Sequence, residues 1–365
     1  MYDMYKVLLT LILTMVMSMV FTEIVRKLSF KLGTVDKPNS RRVNKVTMPS
    51  SGGLAIYVAF FITVLFLIPI NREITIPLFV GATIIIIVGL IDDVKEINPK
   101  MKMLGILLAT LAVYYLGDIQ MTRIDIPFLG LVELGILSLP VTFIWIAAIT
   151  NSINLIDGLD GLAAGVSSIS LLTIGIIAFF FLGNNNVDVA ILIFALVAAT
   201  LGFLPANYFP AQIYLGDTGA LFLGFMTAVF SLMHLKNVTF LSLTVPLVIL
   251  AVPIGDTLYA IIRRTLNKQP ISMADNKHIH HRLLALGFSH KQSVKLLYTM
   301  TAVFSVVALL LPVANTLGFI LLTISLIVSL QFLAELIGLV DGKSRFLTDF
   351  FKKIFKLLRI DHRPK

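Results

Sequence analysis

Cysteine is absent from this 365-residue chain, which excludes a disulfide framework and any thiolate zinc site. Charge is scarce as well: 13% of residues are Asp, Glu, Lys or Arg, where a soluble globule carries about 25%. The N-terminal apolar run Lys6–Phe21 has neither a basic leader nor a small-residue cleavage site, so it is expected to be a span and not a removable signal. Internal repeats and low-complexity segments are missing too. What the chain has in abundance is hydrophobic residues, at 58%, with a mean hydropathy of +0.95. These values belong to a polytopic membrane protein.

Apolar runs near 5–22, 53–70, 76–91, 103–116, 136–150, 162–182, 188–204, 219–234, 240–262, 295–312 and 316–337 predict an all-α bundle of about eleven transmembrane helices. Several runs are shorter than the ~20 residues of an untilted span and must recruit polar flanks. Eleven crossings put the termini on opposite sides. Assigning the loops after the odd-numbered runs and the C-terminal tail to one side gives that side every Lys and Arg except Lys6, Arg72, Arg123 and Lys236. The positive-inside rule makes it the cytoplasm, with the N-terminus outside and the C-terminus inside. The same rule accounts for the net charge of +9 without a nucleic-acid partner. Residues 1–340 form the membrane domain and 341–365 a basic tail.

The chemistry sorts to the same side. Loops on the other face, such as Asn71–Thr75 and Gly183–Val187, are short or bland. The cytoplasmic loops hold N-S-I-N-L-I-D-G-L-D-G-L (Asn151–Leu162), which carries Asn154, Asp157 and Asp160 between two apolar runs. Asp157 and Asp160 share a face if the segment is helical, and Gly158 and Gly161 would let a ligand approach the backbone. Asp92 and Asp93 end the run Thr83–Ile91; a helix end in water would tolerate the pair, and a divalent cation or a proton would relieve its repulsion. Asp217 sits in L-G-D-T-G at the mouth of the eighth run, where an Asp in apolar surroundings costs ~3 kcal/mol and so points to function. Asp256, deep in the ninth run, is either functional or a satisfied helix–helix hydrogen bond.

Hard oxygen donors without cysteine point to Mg²⁺, or Mn²⁺, and not to zinc. His278, His280 and His281 share their loop with Lys277 and Arg282, a set that suits a phosphate or diphosphate better than a metal ion. Carboxylates for a divalent cation and cations for polyphosphate, at a membrane surface, imply phosphoryl chemistry on a lipid. Spacing alone leaves open which Asp binds metal and which takes a proton.

D-D-V (Asp92–Val94), N-x-x-N-x-x-D-G-x-D-G-L (Asn151–Leu162), P-A-N-x-F-P-A-x-x-x-L-G-D-T-G (Pro205–Gly219) and H-I-H-H-R (His278–Arg282), in that order, resemble the polyprenyl-phosphate N-acetylhexosamine-1-phosphate transferases of glycosyltransferase family 4. V-D-x-P-x-x-R-R (Val35–Arg42) and P-x-x-G-G (Pro49–Gly53) extend the resemblance, which runs from Asp36 to Arg282. It implies a reaction of UDP-GlcNAc with undecaprenyl phosphate that gives undecaprenyl-diphospho-GlcNAc and UMP, with the site on the cytoplasmic face of the cell membrane. It implies Asp92 as the base on the lipid phosphate. Asp93, Asn154 and Asp217 would hold Mg²⁺, with Asp92, Asp93 and Asp217 forming the catalytic set. Asp157, Asp160 and Asn207 match positions used around the uridine and its ribose or phosphates. Lys45, Lys102, His280, His281 and Arg282 would neutralise phosphate oxygens, and His278 joins the substrate-binding set.

Within the family, the enzymes that transfer phospho-MurNAc-pentapeptide carry more histidines in the fifth cytoplasmic loop and then a Glu, whereas Arg282-Leu283-Leu284 follows His281 here. Those enzymes also have ten spans with both ends outside. Both departures favour the GlcNAc branch, which opens the synthesis of teichoic acid linkage units, O-antigen or enterobacterial common antigen. Two other classes stay open from the residues alone: a cation-coupled transporter, against which the acids cluster at span ends, and a non-catalytic scaffold, which needs no histidine triplet. A homodimer is neither required nor excluded. In the tail, Leu347, Phe350, Phe351, Ile354, Phe355 and Leu358 form an apolar helical stripe flanked by Lys352, Lys353, Lys356 and Arg359. The pattern predicts a helix lying on anionic lipid, or one that docks a partner.

Overall fold

The computed structural model describes residues 3–36, 47–126, 130–181, 187–233, 241–270 and 277–338. Lys45 and the predicted tail helix of 341–365 lie outside the described residues. The helices, in chain order, are α1 (Met4–Leu32), α2 (Gly53–Ile62), α3 (Arg72–Lys95), α4 (Pro99–Gly117), α5 (Ser138–Ile156), α6 (Leu162–Phe181) and α7 (Val187–Asn207). They continue with α8 (Gly216–Met233), α9 (Leu241–Ile249), α10 (Ala251–Leu266), α11 (Ile279–Ala285), α12 (His290–Leu310) and α13 (Thr316–Ile337).

α1 shows how the membrane inverts ordinary amphipathicity. Thr14, Ser18, Thr22, Val25 and Ser29, three or four residues apart, form its buried stripe, while Leu9, Ile12, Leu13, Val16 and Val20 face outward. In hydrocarbon there is little to gain by hiding leucine, so small and hydroxylated residues make the contact and let backbones close up. Ser18 Oγ donates to the Ala199 carbonyl of α7 at 2.6 Å, and the Thr14 and Thr63 hydroxyls pair at 2.7 Å. α8 is the axis of the bundle. Phe222, Phe225 and Phe230 are fully buried, and α2, α3, α5 and α6 pack around it.

Among the described residues, eight helices are long and apolar enough to cross a membrane, and the chain is a polytopic, mostly helical membrane protein. Two further predicted spans are shorter apolar helices, Gly53–Leu67 and Leu317–Gln331. The predicted continuous run through 262 is broken at Leu250 into α9 and α10. Pro253 has no N–H to offer the carbonyl of Ile249 one turn earlier, and its ring crowds that carbonyl, so the ladder is interrupted there. Two small antiparallel ribbons were not anticipated. β1 (Val35–Asp36) pairs with β2 (Met48–Pro49), and β3 (Arg123–Ile126) pairs with β4 (Gly130–Glu133). The second ribbon is closed at its open end by Arg123 opposite Glu133, whose charged groups lie 3.4 Å apart.

Candidate active site

One end of the bundle collects the polar chemistry: α3 and α5 finish there, and α4 and α8 begin there. Asn98 opens α4 by accepting the N–H of Met101 at 2.9 Å, with Pro99 in the first turn. That start places Lys102 one turn into α4, from where its side chain reaches back to the end of α3. Its ammonium forms an ion pair with Asp92 Oδ2 and donates to Asp217 Oδ1 at 3.2 Å. Asp92 is buried, and its other oxygen accepts the N–H of Ile97 at 2.8 Å. Asn154, on the last turn of α5, donates its amide to Asp217 Oδ1 at 2.5 Å. Residues 92, 102, 154 and 217, from four helices, thus meet at one point.

Asp93 turns elsewhere. It accepts the backbone N–H of Asp217 at 2.8 Å and the hydroxyls of Ser51 and Thr218 at 2.7 and 2.6 Å.

The D-G-L-D-G segment is a turn between α5 and α6, so the helical condition under which Asp157 and Asp160 would share a face is not met. Asp157 ends α5 and faces the acidic basin. Its carboxyl is raised well above the usual carboxylate range, first by burial and then by the charges of Asp217, Asp93 and Asp160. Asp160 points to the neighbouring loop, where Oδ2 accepts the N–H of Ala211 at 3.1 Å; its own N–H donates to His290 Nε2 at 2.9 Å. Asn207 is buried with both ends of its amide committed: Oδ1 accepts from Gly161 N–H at 3.1 Å, and Nδ2 donates to the Ile213 carbonyl at 3.0 Å. Asp160 and Asn207 therefore stitch the 157–161 and 205–215 loops together.

The two glycines differ: Gly161 is buried, whereas Gly158 is exposed on one side and lies against a side chain on the other. A Cβ on Gly158 would run into the imidazole of His280, and one on Gly161 would meet the rings of Tyr208 and Tyr298. His280 is buried against Gly158, with its ring centroid 4.2 Å from that of His281. Burial, then the neighbouring His281, His278 and His290, lower its pKa to about 3. Its imidazole is therefore held in the neutral form, able to meet a phosphate through a ring N–H and not through a permanent charge. His278 is buried and its Nδ1 lies 3.0 Å from Asp256 Oδ2, while Asp256 Oδ1 accepts the N–H of Ile279 at 2.9 Å. Asp256 is thus a satisfied hydrogen-bonding group that ties α10 to the N-terminus of α11, the helix–helix reading of the two that the sequence left open. His278, the N-cap residue of α11, anchors that helix to α10. His281 and Arg282 remain half-buried on the first turn of α11.

Four contributors escaped the sequence reading as individual residues. Ser51 and Thr218 lay inside quoted motifs, at Pro49–Gly53 and in L-G-D-T-G, which was the available signal. His290 and Tyr298, whose hydroxyl donates to the Gly161 carbonyl at 2.5 Å, lie on α12 beyond every motif.

Two carboxylates that share one ammonium show that the point where they meet calls for a cation. Asp92 and Asp217 supply hard oxygen donors, with the amide of Asn154 beside them, and this set fits Mg²⁺. That ion is ordinarily held by one or two carboxylates and completes its shell with water and substrate phosphates. Among the described residues, no group of three or more His, Cys, Asp or Glu side chains forms a ready-made cage.

Comparison with known proteins agrees with this geometry. Residues 75–235 match the model of glycosyl transferase family 4. The chain is 42% identical over 355 residues, 97% of its length and 98% of the relative's, to a probable undecaprenyl-phosphate N-acetylglucosaminyl 1-phosphate transferase of Bacillus subtilis. It is 33% identical over 75% of its length to a decaprenyl-phosphate N-acetylglucosaminephosphotransferase of Mycolicibacterium smegmatis, covering 74% of that protein. A phospho-N-acetylmuramoyl-pentapeptide-transferase of Clostridium beijerinckii is 32% identical over 78% of the chain and 88% of the relative. With four helices delivering two acids, a lysine and an amide to one point, and with similarity along nearly its whole length, the chain belongs to the polyprenyl-phosphate N-acetylhexosamine-1-phosphate transferases of glycosyl transferase family 4.

Proposed function

We propose that this protein transfers GlcNAc-1-phosphate from UDP-GlcNAc to undecaprenyl phosphate. In this reaction an oxygen of the lipid phosphate bonds to the β-phosphorus, the bond between that phosphorus and the bridging oxygen breaks, and UMP leaves with the bridging oxygen. The observation that carries this reading is the meeting of Asp92, Lys102, Asn154 and Asp217. The 42% identity to the Bacillus relative over nearly the full chain supports it. Asp217 and Asn154 would hold Mg²⁺, which supplies charge neutralisation for the diphosphate when bound.

The chain's own groups do the rest. Asp92, held by Ile97 N–H and Lys102, takes the proton of the lipid phosphate if that phosphate arrives as the monoanion. Lys102 reaches both carboxylates and moves its positive charge onto phosphate oxygens as they enter. Arg282 and His281 serve the far side of the diphosphate, and neutral His280 shapes the turn at Gly158. Asp160 and Asn207 position the loops beside the nucleotide and do not contact it.

In this reading the eleven apolar segments are crossings, the ninth broken at Leu250, with the N-terminus outside and the acidic basin on the cytoplasmic face of the cell membrane. The distribution of Lys and Arg supports this orientation. The higher identity to the N-acetylglucosaminyl relative and the sequence Arg282-Leu283-Leu284 after His281 favour UDP-GlcNAc over UDP-MurNAc-pentapeptide. Downstream lies a cell-surface polymer. The test is UMP release by purified protein offered each nucleotide sugar in turn with undecaprenyl phosphate. Turnover with UDP-GlcNAc at least tenfold above the pentapeptide substrate is expected; the reverse order would move the protein to the other branch.

A further inference from the structure

Asp92 and Asp93 are neighbours on the last turn of α3, so their side chains leave the helix about 100° apart. Asp92 meets Lys102, whereas Asp93 meets no cation among its hydrogen-bond partners. Its Oδ1 accepts from Asp217 N–H at 2.8 Å. Its Oδ2 accepts from Ser51 Oγ at 2.7 Å, Thr218 Oγ1 at 2.6 Å and, more weakly, Thr218 N–H at 3.3 Å. Four donors meet the roughly four acceptor sites of a carboxylate. Two of them are N–H groups in the first turn of α8, which no carbonyl of that helix can reach. Gly216, which opens α8 at φ +71, has no side chain with which to cap them. A Cβ there would lie 2.7 Å from Asp93 Oδ2. Nor is there space between the two helices, since a Cβ on Gly89 of α3 would lie 2.7 Å from Thr218 N. A metal ion at Asp93 would have to strip donors from a half-buried carboxylate and leave those N–H groups unpaired.

We propose that Asp93 is a positioning residue and not a metal ligand: it caps α8 from across the bundle and thereby fixes the backbone that carries Asp217. This revises the role expected of it from the family resemblance. It rests on the transferase reading only for what Asp217 does once fixed. Asn caps a helix about as well as Asp. An Asn with its oxygen in place of Oδ1 still accepts the Asp217 N–H and gives up only the weaker 3.3 Å contact from Thr218 N–H, while the Ser51 and Thr218 hydroxyls turn to accept from its NH₂.

The experiment uses the full chain with Asp93→Asn and Asp93→Ala, and reads UMP release and amide hydrogen exchange over residues 215–221. Asp93→Asn should lose less than about tenfold in kcat and keep slow exchange. Asp93→Ala should lose about 100-fold, with fast exchange confined to the start of α8. Two results overturn the proposal. One is Asp93→Asn as inactive as Asp217→Asn with wild-type exchange, which would make the charge and not the cap the essential feature. The other is wild-type exchange in Asp93→Ala. If Asp93→Ala does not fold, the Asn variant still decides. If wild-type protein releases no UMP, the transferase reading fails, and exchange in the two variants still decides whether the cap exists.

Discussion

At the starts of α4 and α8, Asp92 and Asp217 share the ammonium of Lys102; at the start of α11, His280 is packed on Gly158 and its pKa falls to about 3. Both regions are dense in ionisable groups within one site. At the acidic end, side chains of opposite charge from different helices stay within reach of one another, and the charges are kept by pairing. At the histidine end, burial and neighbouring imidazoles hold the His280 ring in its neutral form against the 157–161 turn. A motif rich in histidine next to Arg282 invites a phosphate-neutralising role for every member. The structure divides the motif: His278 goes to Asp256 and His280 to the turn, while His281 and Arg282 are half-buried on the first turn of α11.

The sharpest way to break this comparison is to remove charge at the acidic end. Asp217→Asn and Asp92→Asn keep the shape and one acceptor oxygen but lose the negative charge, so each should lower kcat by about 10²–10³-fold. Near wild-type UMP release from either variant would mean that the acidic end does not carry the reaction.

At the histidine end the damaging change should be steric. Gly158→Ala puts a methyl group where the His280 ring lies. Displacement of that ring and of the 157–161 turn should cost up to about 100-fold in kcat/KM with no change in net charge. A silent Gly158→Ala variant would show that the ring does not shape the site.

Arg282→Ala separates the two kinds of contribution within one motif. Loss of a charge-assisted phosphate hydrogen bond costs about 1.5–3 kcal/mol, or roughly ten- to a hundredfold in kcat/KM for the nucleotide sugar. Lowering the pH from 7.5 to 6 should add no limb attributable to His280, because its pKa lies well below that range. A limb near 6.5 that disappears in His280→Asn would contradict its neutral role.

The smallest expected effect is on stability and concerns Asp157. Its carboxyl titrates above the ordinary value of about 4, so the folded state binds its proton more tightly than the unfolded state does. The stabilisation is therefore complete below pH 4 and is lost as pH rises through the folded-state pKa. Asp157→Asn cannot ionise, so in metal-free detergent it should melt at or above the wild-type temperature at pH 7, and the gap should close on acidification. A gap that widens in acid would reverse the assigned sign.

Much of the acidic end was legible in the sequence. Asp92, Asp93 and Asp217 stand at the ends of apolar runs in a chain with few charges, where a carboxylate is costly and needs a reason. What those acids do with their second oxygens was not legible. The Lys102 bridge depends on how tightly α4 turns back on α3, and the saturation of Asp93 depends on donors 42 to 125 residues away in the chain. The break at Leu250 was readable from Pro253, but a hydropathy run does not register it. Asp157 and Asp160 three residues apart resembled one helical face, and only the turn geometry separates an acid in the basin from one that bonds Ala211. His290 carries no local signal, since its partner is a backbone N–H 130 residues earlier.

The most direct test of the account is the substrate requirement of purified wild-type protein. UMP should appear only when UDP-GlcNAc, undecaprenyl phosphate and Mg²⁺ are all present, in equal amount to a new lipid-linked diphospho-GlcNAc. UMP released without the lipid, or no UMP with all three present, would contradict it.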